Sequence, residues 1–134
     1  MDAAASVFGG YSDAAQYKTQ AALATQQAKD VNLQSTQASE QHREQLNASL
    51  ANISANRVQS GLSIDSPTAM AIQKEVKAGA GRTEQIQRLG YMNQGQSLQW
   101  QAAASRRAAS NAITGGYLKG FVQAGKDAAA AAGA

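Results

Sequence analysis

Few side chains in this sequence are of a kind that does chemistry, and their spacing decides what they are for. His42 is the single histidine, set in "SEQHRE" between Glu40 and Glu44. Two carboxylates and an imidazole within one helical turn are the raw material of proton transfer or of a metal site. Each task needs more than this segment offers. A zinc site takes three or four nitrogen, sulfur or carboxylate ligands. Here there is no cysteine, no second histidine and no cluster of carboxylates to complete the set. Ser–His–Asp chemistry needs a nucleophile held on a strand–turn–helix elbow, and no strand pattern precedes a serine. Gln41 and Arg43 beside the two glutamates mark a solvated helix face. Gly79, Gly81, Gly90 and Gly95 follow no strand and form no phosphate-cradling loop. Tyr91 and Trp100 have ring faces on which a base can stack, but as isolated aromatics in a helical stretch they are assigned to packing. No catalytic, metal-binding or cofactor-binding residue is assigned, and the chain is read as not an enzyme.

The elements that hold these residues follow from composition. Of 134 residues, 43% are hydrophobic, about half of those are alanine, and only 5% are aromatic. Alanine buries little area, and at about 25 cal/mol per Å² such a core stabilises weakly. An elongated, all-α protein supported by neighbouring chains fits better than a thick globule, so a homo-oligomer is expected. Without cysteine the chain has no disulfide, and the redox compartment stays open. The net charge is +3; residues 1–60 are close to neutral, and residues 61–134 carry the basic excess in Lys74, Lys77, Arg82, Arg88, Arg106, Arg107, Lys119 and Lys126. These are spread out, which predicts a solvated face; contact with DNA, if made, is non-specific. Asp2 stands where a secretory leader carries basic residues, and no stretch reaches the ~20 apolar residues of a membrane span. A soluble protein is expected.

Punctuation along the chain divides it. Gly9-Gly10 predicts a flexible N-terminal segment over 1–11, with Ser12 or Asp13 capping the helix that follows. From there to Gln59 no Gly or Pro occurs, and a helix of about 45 residues would run roughly 70 Å. Ala21, Ala24, Ala28, Val31, Ser35 and Ala38 form a thin inward stripe, continued after a phase shift by Leu46, Leu50 and Ile53. Gly61 ends the helix, Leu62, Ile64 and Asp65 lie in the connection, Ser66 caps the next helix and Pro67 opens it. A short link between long helices makes antiparallel neighbours. The sequence therefore predicts a hairpin over 12–113 with its tip at about 60–66. Ile72, Val76, Gly79, Thr83, Ile86 and Gly90 alternate in four–three steps and are taken as the packing face of the second helix. Thr114-Gly115-Gly116 predicts a break, leaving a Gly/Ala-rich C-terminal helix or tail over 114–134. In it Gly116, Gly120, Ala124 and Ala128 make a small-residue ridge suited to soluble helix packing, with a bilayer surface as the second reading.

The segment "SGLSIDSPTAMAI" joining two polar helices, followed by "QIQRLGYMNQGQSLQWQAAASRRAASNA" and a Gly/Ala-rich end, resembles the internal virion (ejection) proteins of short-tailed and related tailed bacteriophages. The likeness covers roughly residues 55–115 and rests on Gly61 to Pro67 and on Arg88, Gly90, Tyr91, Asn93 and Gln94. The stretch "TAMAIQKEVKAGAGRTEQ" between those blocks is richer in glycine and lysine than the family pattern. The resemblance implies a structural protein packaged in the capsid near the portal, alongside other internal virion proteins. It further implies release before or with the DNA, to help form a conduit across the host envelope and periplasm; host-membrane contact by the C-terminal segment is the second reading of its small-residue ridge. Two other readings remain open. One is a helical adaptor or scaffold that binds a virion partner and meets neither membrane nor DNA. The other is a DNA binder using the basic second half.

Overall fold

The computed structural model describes residues 2–132, and all of them lie in two helices and the segment that joins them. Helix α1 spans Asp2–Gln59 and helix α2 spans Pro67–Ala132. No strand occurs among the described residues. Ala, Gln, Leu, Lys, Glu and Arg supply most of both helices and lose little side-chain freedom in a helical backbone.

The connection is closed by backbone chemistry written into its residues. Gly61 takes a φ of +69°, a left-handed conformation that costs glycine nothing and other residues a clash at Cβ. Its N–H donates to the Val58 carbonyl at 3.1 Å, and the Leu62 N–H donates to the Arg57 carbonyl at 3.0 Å. These two bonds are the paired C-terminal cap of a Schellman motif and satisfy carbonyls that the end of α1 would otherwise leave open. Across the link, the Ser66 hydroxyl accepts from the Ala69 N–H at 3.2 Å. The Ser66 carbonyl accepts the first helical bond of α2, from the Met70 N–H at 3.1 Å. Pro67 is the first helical residue, where no donor is needed. The Ser63 hydroxyl accepts from the Asp65 N–H at 3.3 Å and tightens the turn between the caps.

Two expected breaks are absent. α1 begins at Asp2, so residues 2–11 are helical through Gly9-Gly10 and Ser12 is not its start. α2 passes through Thr114-Gly115-Gly116 without interruption, so there is no separate third helix. A glycine inside a helix costs only about 1 kcal/mol against alanine. Alanine-rich flanks and, at Gly10 and Gly116, close packing offset that cost. Residue 1 and residues 133–134 of the two expected terminal segments lie outside the described residues.

The chain forms two compact units. One of them, Lys29–Gly95, is a helical hairpin: α1 residues 29–59 and α2 residues 67–95 run antiparallel, with Ser39 beside Glu84 and His42 beside Ala80. On α1 the buried and half-buried positions are Val31, Ser35, Ala38, Ser39, His42, Leu46, Leu50, Ile53, Ser54 and Arg57, the stripe expected from spacing with four polar residues added. On α2 they are Ala69, Gln73, Val76, Ala80, Glu84, Tyr91 and Gly95. This corrects the expected packing face. Of Ile72, Val76, Gly79, Ile86 and Gly90, only Val76 is half-buried; the other four are exposed, Ile86 at 71%. Two stripes overlap on α2, and the one that turns inward lets Ala80 and Glu84 bond to α1.

The second unit pairs α1 residues 2–28 with α2 residues 96–132. Its buried hydrophobic residues are Ala14, Ala21, Ala24 and Ala28 on one helix and Ala102 and Ala109 on the other. A buried methyl contributes on the order of 0.8 kcal/mol, so the seam is thin. What it has instead is closeness. A Cβ built on Gly10 would stand 3.0 Å from the Gly116 Cα and 2.8 Å from the Ala112 carbonyl oxygen. A Cβ on Gly116 would stand 3.1 Å from the Gly10 Cα. The two backbones touch where neither residue has a side chain. Of the predicted ridge, Gly116 and Gly120 are buried, whereas Ala124 and Ala128 are exposed and make no part of the seam.

Candidate functional site

In the Lys29–Gly95 unit the polar side chains with chemistry stand together on the seam. The Ser39 hydroxyl donates to Glu84 Oε1 at 2.6 Å. Arg43 Nη2 lies 3.8 Å from the same oxygen, with its side chain 71% exposed. One turn away, His42 Nε2–H donates to the Ala80 carbonyl at 2.9 Å, which assigns the proton to that ring nitrogen. The Ser39 hydroxyl holds the Glu84 carboxyl below the usual range, against a smaller opposing effect of burial and with further help from Arg43. The arrangement joins two helices and leaves the serine donating to a carboxylate, not poised as a nucleophile. An open groove beside it is lined by Asn32, Thr36, Glu40, Arg43, Arg88, Leu89 and Met92. It mixes both charge signs with two apolar side chains. No group of three or more His, Asp or Glu residues among those described stands close enough to hold a metal ion.

In the other unit, the Tyr11 and Tyr117 hydroxyls meet at 2.5 Å. Their rings are 6.0 Å apart, centroid to centroid, in an edge-to-face arrangement at 77°, a geometry favoured by aromatic quadrupoles. The bond to Tyr11 raises the Tyr117 hydroxyl above its ordinary range. Arg106 donates to the Thr25 hydroxyl at 3.2 Å, and that hydroxyl donates to the Ala21 carbonyl at 2.7 Å.

The larger feature of each unit is its apolar exterior. Among the described residues, every buried hydrophobic residue is an alanine except Val31. Leu46, Leu50, Ile53 and Val76 are half-buried on the hairpin seam, but many of the large apolar side chains face outward. In the Lys29–Gly95 unit, Leu33, Ile86, Leu89 and Met92 are more than half exposed. In the other, Phe8, Trp100, Leu118, Phe121 and Val122 are, with Trp100 at 79% and Phe121 at 74%. At 100° per residue, Trp100 and Leu118 fall about half a turn from Ala102, Ala109 and Gly116. They lie on the side of α2 turned away from α1. Burying a Leu, Phe or Trp is worth about 1.5–3 kcal/mol each, and this chain leaves that energy unused.

Of the residues singled out from sequence, Gly61, Ser66 and Pro67 build the connection. Leu62 and Ile64 project from it exposed, and Asp65 lies in its turn. Ser39, Glu84, Tyr11 and Tyr117 were not singled out. A chain that folds back near residue 61 brings 39 beside 84, so the first pair was within reach of the sequence once the turn was known; the tyrosine pair has no local signal. No helix among the described residues is long and apolar enough to cross a membrane. Compared with known protein families, characterised proteins and solved structures, the chain matches none.

Proposed function

We propose that this chain is a non-enzymatic assembly protein of a virion: an internal virion (ejection) protein of a tailed bacteriophage. In this reading it is packed near the portal among copies of itself and other internal proteins. It leaves the head to help form a conduit for the genome across the host envelope. The observation that carries the assembly part is where apolar character lies: the most deeply buried seam residues are alanine apart from Val31, while Phe8, Ile86, Leu89, Trp100 and Phe121 are outside. Such a chain draws its stability from neighbours that cover those side chains, by mass action. Long helices with a thin seam suit side-by-side packing into an elongated oligomer. A weak internal core also suits a protein that must pass a narrow tail. The phage part rests on the resemblance carried by Gly61 to Pro67 and by Arg88 to Gln94.

Quantitative mass spectrometry and imaging of purified particles tests this reading. The chain is expected inside filled heads and missing from particles that have emptied. Retention in emptied particles would overturn release and favour the adaptor reading. Liposome flotation, with residues 110–134 present or deleted, tests membrane contact separately: a deletion that leaves flotation unchanged removes that role from the C-terminal segment.

A further inference from the structure

We propose that Tyr11 and Tyr117 form an oxidative cross-linking site, at which a one-electron oxidant couples the two rings into dityrosine and staples α1 to α2. The hydroxyls already touch at 2.5 Å although the residues are 106 apart in sequence. Both rings are partly open to solvent, at 48% and 42% exposure, so an oxidant reaches them and each ring has room to turn. The hydrogen bond gives the donor phenol an acceptor for its proton as the electron leaves. The chain has no cysteine, so a covalent link between its helices has to come from other side chains.

The chemistry balances with two equivalents of oxidant. Each phenol loses one electron to the oxidant and one proton to solvent, the donor's proton passing by way of the hydroxyl that accepts its hydrogen bond, giving two phenoxyl radicals. Spin density at the carbons ortho to oxygen lets the rings turn edge to edge and form one Cε–Cε bond. Each coupled ring then moves the hydrogen on that carbon to its own oxygen and regains aromaticity. The net change is loss of two electrons and two protons, with both hydroxyls kept. The other tyrosines stand differently: Tyr91 is half-buried in the Lys29–Gly95 unit, and Tyr17 is an exposed residue of α1 six positions after Tyr11.

The test uses the full chain, diluted to disfavour reaction between molecules and oxidised with photo-activated ruthenium tris-bipyridyl and persulfate. The monomer is expected to lose two hydrogens in mass, to acquire dityrosine fluorescence, and to yield a peptide joining Tyr11 to Tyr117. Tyr11→Phe and Tyr117→Phe should each abolish that peptide, with circular dichroism showing both variants as helical as the parent. Constraining so long a loop should raise the thermal midpoint by roughly 10 °C. Coupling only between chains, a cross-link mapped to Tyr17 or Tyr91, or undiminished yield in either variant would overturn the proposal.

Discussion

Glycine-to-alanine replacements at four helical positions make a direct test of where the helices touch. At Gly79 and Gly90 an added Cβ meets nothing within 4 Å. Alanine there should raise stability by about 0.5–1 kcal/mol, because it lowers the backbone entropy lost on folding and strains nothing. At Gly10 the added Cβ would stand 2.8 Å from the Ala112 carbonyl oxygen and 3.0 Å from the Gly116 Cα. Both neighbours are backbone, so relief requires one helix to move by several tenths of an ångström along much of the unit. Overpacking of this kind costs about 1–3 kcal/mol, which exceeds the helix-propensity gain of up to about 1 kcal/mol. The net expectation for Gly10→Ala is therefore a loss of about 1–2 kcal/mol. Gly116→Ala, whose nearest contacts are 3.1 and 3.2 Å, should lose less, on the order of 0.5–1 kcal/mol. Urea unfolding followed by far-UV circular dichroism measures all four. The informative quantity is the gap of about 2 kcal/mol between Gly10→Ala and Gly79→Ala. If Gly10→Ala stabilises as much as Gly79→Ala, the close approach at Gly10 and Gly116 does not exist and the reasoning fails with it.

Further outcomes follow from the same physics. Glu84 has a lowered pKa in the folded chain, chiefly through the Ser39 hydroxyl. The unfolded state therefore binds more protons below the ordinary glutamate range, near 4.3. Its stabilisation is present above that range and is lost as pH falls through the lowered value. Thermal midpoints measured from neutral to acid pH should fall less steeply for Glu84→Gln than for the parent. Removing the helix cap by Ser66→Ala should cost about 1 kcal/mol, and Gly61→Ala a similar amount because its φ is +69°; urea midpoints unchanged in both would remove the caps from the account. Trp100, the only tryptophan, should emit as a hydrated indole in dilute solution and shift to the blue as the chain assembles. Replacing Ile86, Trp100 and Phe121 together by serine should weaken assembly in sedimentation experiments while leaving helix content intact, since none of the three lies on a seam.

What the sequence determined alone is what neighbours along the chain can settle. Glycine, serine and proline at 61, 66 and 67 act through their own backbone geometry and caps, so the end of α1 at Gln59 and the start of α2 at Pro67 were legible residue by residue. The alanine stripe from Ala21 to Ala38 on α1 was legible too, because no other run of small residues competes with it there. On α2 two stripes overlap by one position, Ile72–Val76–Gly79–Ile86–Gly90 and Ala69–Gln73–Val76–Ala80–Glu84. Periodicity favoured the first because it holds the larger apolar residues. Only contact with α1 decided for the second, through His42 on Ala80 and Ser39 on Glu84. The glycines at 9–10 and 115–116 likewise read as breaks in isolation. Opposed across the seam, Gly10 and Gly116 become the place where two backbones meet. A residue's conformational freedom is local and is written in its type; which face it shows a partner is a property of the pair, and that required the second helix to be in place.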